Sequence, residues 1–227
     1  MYRILLSSPK GGCGKTHLTT NLAAAAAAEG WSVCTADLDP QRTLTRWVRR
    51  RPDTAPSVTH YEVDWSSAEI LTRDGGIPDT DLLIIDTPPS IETHPVEAKQ
   101  LLMGVDLILV PCRTTFADIE SSIPYLRTMA ANGARAVVVL NATKPRVNVA
   151  TQKNMLLRSA EVAPVEIVDR ADYDRAASRG LSPVDLHGHV AGDEIRGLWA
   201  YVQRQLKLRP AAPATAAPAS RKGKRNG

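Results

Sequence analysis

The chain has 227 residues, 43% of them hydrophobic, and a formal net charge of +4, enough length for one α/β domain with a sizeable core, or such a domain and a tail. No apolar run reaches the roughly 18 residues that cross a bilayer, and Lys10-Gly11-Gly12 interrupts the N-terminal segment before it can read as a secretion signal. Cys13, Cys34 and Cys112 are scattered, with no C-x-x-C spacing, so neither a disulfide framework nor a zinc site is expected, and a soluble cytoplasmic protein is.

A strand is predicted over 2–7, followed by the turn Pro9-Lys10-Gly11-Gly12-Cys13-Gly14-Lys15-Thr16-His17 and a helix running through the six alanines 23–28. A second buried strand, 32–36, ends in Asp37-Leu38-Asp39-Pro40-Gln41. Residues 41–51 read as a helix with Leu44, Trp47 and Val48 on one side and Arg42, Arg46, Arg49 and Arg50 elsewhere, stopped by Pro52. A short strand over 57–63 and a helix over 66–73 follow, the latter ended by Asp74-Gly75-Gly76. Leu82-Leu83-Ile84-Ile85 is the clearest buried strand and ends at Asp86-Thr87-Pro88-Pro89. Beyond it come a helix over 92–103, a strand over 106–110, a loop over 111–117, and a helix over 118–132 with Gly133 as its stop. A strand over 136–140 leads to Asn141, then a helix over 149–162, a strand over 165–168 and a helix over 193–208. In that last helix Ile195, Leu198, Trp199, Val202 and Leu206 form one stripe. Short apolar runs alternating with amphipathic helices predict an α/β domain over 1–208, a mostly parallel twisted sheet with helices on both faces. Residues 209–227 are Ala/Pro-rich and basic, cannot form a core, and are expected to be disordered. Of the 28 basic and 24 acidic residues, eight basic and no acidic ones lie in 195–227, which leaves 20 against 24 in the rest. Charge loaded onto one end favours a polyanionic partner, nucleic acid or an anionic membrane surface.

Strand, glycine-rich turn and helix in that order are the setting of a phosphate-binding loop. Glycines let successive N–H groups point inward, and the helix N-terminus adds positive charge. Lys15 is placed for the β/γ-phosphates and the Thr16 hydroxyl for Mg²⁺. Cys13 fills a variable position, and His17 offers its main-chain N–H as a phosphate donor. Asp37, Asp39 and Asp86 each close or follow a strand, so they emerge at the sheet edge where this loop opens. There a carboxylate can order Mg²⁺-bound or attacking water; an Asp-Pro turn with capping aspartates is the alternative for 37–41. For Asn141 a polar turn residue and, by resemblance to related proteins, a ligand to the adenine edge are both open. His60, His94, His187 and His189 show no metal or triad spacing and are expected at the surface.

Lys10-Gly11-Gly12-Cys13-Gly14-Lys15-Thr16 departs from the usual phosphate-loop pattern, with Pro9 in place of the first glycine and an extra lysine inside the loop. It resembles the deviant Walker A motif of the ParA/MinD family of P-loop ATPases. Asp37-Leu38-Asp39-Pro40-Gln41 is similar to that family's Walker A′ motif, and Leu82 to Asp86 with Thr87-Pro88-Pro89 to its Walker B strand and second switch loop. The resemblance covers 1–208, with 1–41 and 82–89 its specific parts. It implies ATP and Mg²⁺ as cofactors, bound by Lys10, Gly11, Gly12, Cys13, Gly14, Lys15, Thr16, His17 and Asn141. It gives Lys10 a reach to the phosphates of a second subunit and Asp39 the attacking water, with Lys15 the third catalytic group. Thr16, Asp37 and Asp86 fall to Mg²⁺, the aspartates through water.

The function so implied is a slow ATPase that forms a nucleotide-sandwich homodimer, binds DNA non-specifically, and segregates or positions a cargo. That cargo is plasmid or chromosome DNA or a protein cluster, and a ParB-like or other cargo-bound protein stimulates hydrolysis. Such a protein is expected on the nucleoid. The chain starts at its first strand, so the helix-turn-helix extension of longer ParA proteins is not expected. A VirC1-like conjugation accessory is a further reading. A MinD-like membrane ATPase needs a terminal amphipathic helix, and the stripe on 193–208 is better spent on a core. A reductase with a bridging iron–sulfur cluster needs two cysteines at one edge, and only Cys112 lies on a suitable loop.

Overall fold

Alternating apolar side chains build the sheet. In β1 (Tyr2–Leu6), β4 (Leu82–Asp86), β5 (Leu107–Cys112) and β6 (Ala136–Thr143) successive residues divide between two faces, as the two-residue period of a strand requires. Ile4, Ile84, Leu109 and Val139 go to one core, and Leu5, Ile85, Ile108 and Val138 to another. Strands buried on both faces are those of a parallel sheet sandwiched by helices. In the computed structural model, which describes residues 1–73, 76–77, 80–89 and 91–208, that is the architecture. The strand order is β3 (Thr59–Glu62), β2 (Val33–Asp37), β4, β1, β5, β6, with β7 (Glu161–Val162) and β8 (Ile167–Val168) both along the outer side of β6. All pairings among the described residues are parallel.

α1 (Lys15–Ala28) and α7 (Val190–Leu206) cover one face, and α3 (Pro95–Gly104), α4 (Phe116–Ala131) and α5 (Ala150–Leu157) the other. The alanines of α1 combine high helix propensity with small volume. Ala23 to Ala27 are all buried, so the helix packs into the sheet and α7 without exposing an apolar side. α2 (Thr43–Arg50) is pinned through Trp47, whose indole N–H donates to the Leu181 carbonyl at 3.1 Å. Beside it Arg51 makes a two-pronged ion pair with Asp185, both bonds 2.9 Å, and both side chains are about 5% exposed or less.

Register fixes the functional edge. Asp86 lies level with Leu6 of β1 and with Asp37 of β2. The chain therefore leaves three adjacent strands at one height, at their C-terminal ends.

Several elements differ from expectation. α2 begins two residues late because Arg42 sits at φ 51°, outside the helical region. The helix expected over 66–73 is a 3₁₀ helix, Trp65–Leu71, and that expected over 92–103 splits at His94 into a 3₁₀ turn, Ile91–Thr93, and α3 with Pro95 in its first turn. The expected helix over 149–162 ends at Leu157, because Glu161 and Val162 pair with β6 as β7. β6 continues through Asn141 to Thr143, so Asn141 stands inside a strand rather than in a turn. α6 (Ala171–Ala177) was not expected. The expectation of a disordered tail over 209–227 lies outside the described residues. No helix among the described residues is long and apolar enough to cross a membrane.

Candidate functional site

Residues 7–14 turn from β1 into α1. Gly12 and Gly14 adopt φ of 72° and 97°, where a Cβ is costly. A Cβ on Gly14 would also overlap Asn141 Nδ2. The loop is closed down onto β6 by Asn141, which donates to the Cys13 carbonyl at 2.8 Å. Gly14→Ala is therefore expected to abolish tight nucleotide binding. Left-handed backbone alone costs an alanine about 1–2 kcal/mol, and the overlap breaks the Asn141–Cys13 bond by moving either the loop or the Asn141 side chain. A fluorescent-nucleotide titration checks this, and wild-type affinity would refute it.

Lys15, the first residue of α1, is 6% exposed, and its ammonium donates to Ser8 Oγ at 3.1 Å and the Lys10 carbonyl at 3.3 Å. Burial pulls its pKa down, against the charges of Asp86, Cys13 and Asp39. The ammonium is thus held under the loop by neutral oxygens and forms no ion pair among the described residues. An incoming polyphosphate would supply the missing negative charge.

Thr16 donates to Asp86 Oδ2 at 2.5 Å. Asp86 is fully buried, and its Oδ1 has no hydrogen-bond partner. Burial pushes its pKa up to about 7, opposed by the Thr16 hydroxyl and Lys15 and assisted by Asp37 and Asp39. A buried carboxylate with an idle oxygen beside a hydroxyl fits a hard divalent cation, which would return Asp86 to its ionised form. Thr16 and Asp86 are the residues that would hold Mg²⁺. Thr87, next along, donates to the Leu6 carbonyl at 2.8 Å, and Pro89 reaches the phosphate loop at Gly11.

Asp37, expected near the metal through water, also holds the chain. Its Oδ1 accepts from Asp39 N–H at 3.0 Å, and its Oδ2 from the Thr45 N–H at 3.0 Å and hydroxyl at 2.8 Å. It braces the loop and the first turn of α2, and Oδ1, which accepts a single bond, keeps a lone pair for a metal-bound water. Asp39 is half-buried and accepts from Gln41 N–H at 2.9 Å, so the Asp-Pro turn and the placement of a carboxylate at the site edge are both present. Lys10 does not point into its own loop: its ammonium donates to the Ala117 carbonyl at 2.6 Å and lies 3.5 Å from Asp118.

A cavity of about 220 Å³ opens beside the loop, lined by Gly14, His17, Asn141, Asp169 and Tyr173 among others. Asn141 Oδ1 is buried there without a partner. His17 meets Tyr173 edge-on at 4.5 Å, and burial lowers its pKa, opposed by the neighbouring Asn141 side chain, which lies close without a well-formed bond. Tyr173 is set in turn by Glu194, which accepts from its hydroxyl at 2.9 Å and from Arg170 Nε at 2.8 Å. A flat heteroaromatic group with hydrogen-bonding edges fits such a cavity.

Ser8, Thr45, Tyr173 and Arg113, which lies exposed next to Gly12, join the site although no sequence motif marks them. Ser8 had a signal, since it sits inside the loop; the others come from elements distant in sequence. Two histidines expected at the surface are not there alone: His94 stacks on Trp65 at 4.9 Å, and the His60 ring is bonded between Thr35 and Thr45. Of the arginines on α2, Arg42 is tied to the Asp37 and Val63 carbonyls and to Asp64, and Arg49 pairs with Glu62 at 2.6 Å.

A parallel sheet, a glycine loop closed over a buried lysine, and a Thr–Asp pair at the same edge define a P-loop nucleotide-binding protein. The chain belongs to the family of the CobQ/CobB/MinD/ParA nucleotide binding domain, whose profile matches residues 4–184. It is 28% identical over 203 residues to the maintenance of carboxysome distribution protein A of Halothiobacillus neapolitanus, covering 86% of this chain and 93% of that one. Protein virC1 of Rhizobium radiobacter is 27% identical over 221 residues, 92% of each chain. The fold is that of the MinD cell division protein of Aquifex aeolicus, with a TM-score of 0.75 at 18% identity over 90% of this chain and 98% of that one.

Proposed function

We propose that the chain is a ParA-like positioning ATPase. It binds ATP with Mg²⁺, closes into a homodimer around two nucleotides, holds DNA without reading sequence, and releases it when a cargo-bound activator stimulates hydrolysis. The carrying observation is the placement of two lysines on one loop with opposite directions. Lys15 is buried under the loop, whereas Lys10 turns out of it towards α4, available to a nucleotide on a second chain. In this reading Lys15 and the loop N–H groups of Gly11, Gly12, Cys13, Gly14, Thr16 and His17 bind phosphate, and Asn141 the adenine edge. Thr16 holds the metal with Asp86 and Asp37, the aspartates through water, and Asp39 orients the attacking water. The carboxysome-distribution relative favours a protein cluster as cargo, and a ParB-like protein is the alternative activator. The protein would then lie on the nucleoid in the cytoplasm. The virC1 relative favours a conjugation accessory as the second reading. A MinD-like membrane anchor finds less support, because Ile195, Leu198, Trp199, Val202 and Leu206 of α7 are buried.

Asp39→Ala tests the reading. Turnover should fall by about 100-fold, as for loss of a positioned acid–base group, while ATP still binds and the protein accumulates as dimer. A monomeric variant with normal turnover would refute it. DNA binding should need ATP and weaken with salt, with a slope of roughly 0.9 per phosphate neutralised. Deleting 210–227, which carries Arg221, Lys222, Lys224 and Arg225, should flatten that slope. An unchanged slope would move the contact to the folded domain, where Arg46 and Arg50 are exposed.

A further inference from the structure

His60 lies on the edge strand β3, level with Thr35 of β2. Its ring is held at both nitrogens: Nδ1 is 2.9 Å from Thr35 Oγ1 and Nε2 is 3.0 Å from Thr45 Oγ1. Thr45 donates its hydroxyl hydrogen to Asp37 Oδ2 at 2.8 Å, since a carboxylate can only accept. That hydrogen is then unavailable to His60, so Nε2 carries one and donates to Thr45 Oγ1. The direction of the chain is fixed: His60 to Thr45, Thr45 to Asp37, and Asp37 Oδ1 accepting from Asp39 N–H at 3.0 Å. Thr35, Thr45 and Asp37 are at most 2% exposed, so water does not replace the Thr45–Asp37 bond; His60 itself is half-buried.

We propose that His60 is a positioning residue for hydrolysis: through Thr45 and Asp37 it fixes the loop that carries Asp39, without touching nucleotide. The inference rests on the hydrolytic role proposed for Asp39. Two features of the surroundings support it. The rest of the loop is framed from the same side, since Arg42 bonds the Asp37 and Val63 carbonyls and Asp64 just beyond β3. Burial also lowers the basicity of His60, against Asp37 and Glu62 and together with Arg49 and Arg42. A neutral ring has one hydrogen, which suits a donor at Nε2 and an acceptor at Nδ1, where the Thr35 hydroxyl hydrogen is shared between Nδ1 at 2.9 Å and the Thr59 carbonyl at 3.3 Å.

The side chains of glutamine and asparagine separate this role from simple packing. A glutamine amide nitrogen reaches the place of Nε2 and can donate to Thr45; that of asparagine reaches only the place of Nδ1. The experiment measures kcat for ATP, affinity for a fluorescent ATP analogue and Tm in the full chain. It compares wild type, His60→Leu, His60→Asn, His60→Gln, Thr45→Val and the His60→Leu/Thr45→Val double variant, with Asp39→Ala as control. Expected is a fall in kcat of about 10- to 100-fold for His60→Leu, His60→Asn and Thr45→Val, at unchanged affinity. His60→Gln should keep most of the wild-type kcat, and the double variant should be no worse than either single one. Equal losses in His60→Gln and His60→Asn, or losses that follow Tm alone, would overturn the proposal. So would wild-type kcat in the His60 variants alongside a defective Asp39→Ala. A wild-type protein that turns over no ATP would overturn the hydrolytic reading itself, and this inference with it.

Discussion

Lys15→Ala is expected to weaken ATP binding by about 100-fold. A hydrogen bond to a charged partner contributes about 1.5–3 kcal/mol, and every 1.4 kcal/mol is about tenfold in affinity. Lys15 is buried at the base of the loop with Ser8 Oγ and the Lys10 carbonyl as its hydrogen-bond acceptors. Its charge is therefore desolvated before nucleotide arrives, and little is lost when it turns to phosphate. Removing it leaves the loop N–H groups and the helix terminus to hold a polyanion alone. The variant should fold, because the ammonium makes no ion pair in the described structure. Fluorescent-nucleotide titration with Mg²⁺ is the check. Wild-type affinity in a folded variant would refute the phosphate loop.

Lys10→Ala is expected to leave ATP affinity within about threefold of wild type, under the roughly 1.4 kcal/mol that a tenfold change needs, and to abolish ATP-dependent dimerisation. In the chain described here the Lys10 side chain meets α4, through the Ala117 carbonyl and Asp118, and its main-chain carbonyl is what faces Lys15. The pair with Asp118 is partly exposed, 38% on the lysine side, and exposed pairs contribute little. It gives way readily to a phosphate, whose charge-assisted bonds are stronger. Sedimentation with Mg-ATP distinguishes the outcomes. A variant that dimerises like wild type would remove Lys10 from the proposed interface.

Much of the fold was legible because each central strand is a short apolar run ended by a polar or turn residue. Leu82 to Ile85 followed by Asp86 is the plainest case, and β4 runs over those residues. The phosphate loop was legible for the same reason, since its glycines, lysine and threonine are contiguous. The edges of elements were harder. Residues 158–162 carry on an apolar helical pattern, and only the open side of β6 makes Glu161 and Val162 a strand. The support of the site was legible only in part. Asp37 reads in sequence as a support near the metal, but its bonds to Thr45 and to the Asp39 N–H do not show there. His60 looks like a surface histidine because nothing near it in sequence meets its ring; its partners lie 25 and 15 residues away. Contacts across a parallel sheet join residues a crossover apart, and local pattern does not report them.

The mass of the protein in solution with Mg²⁺ and a slowly hydrolysed ATP analogue, against ADP, tests the proposed switch most directly. Light scattering after size exclusion should give twice the monomer mass with the analogue and the monomer mass with ADP. DNA should be retained only by the first of these. A protein that binds the analogue with wild-type loop residues and stays monomeric at all concentrations would contradict the nucleotide-sandwich dimer.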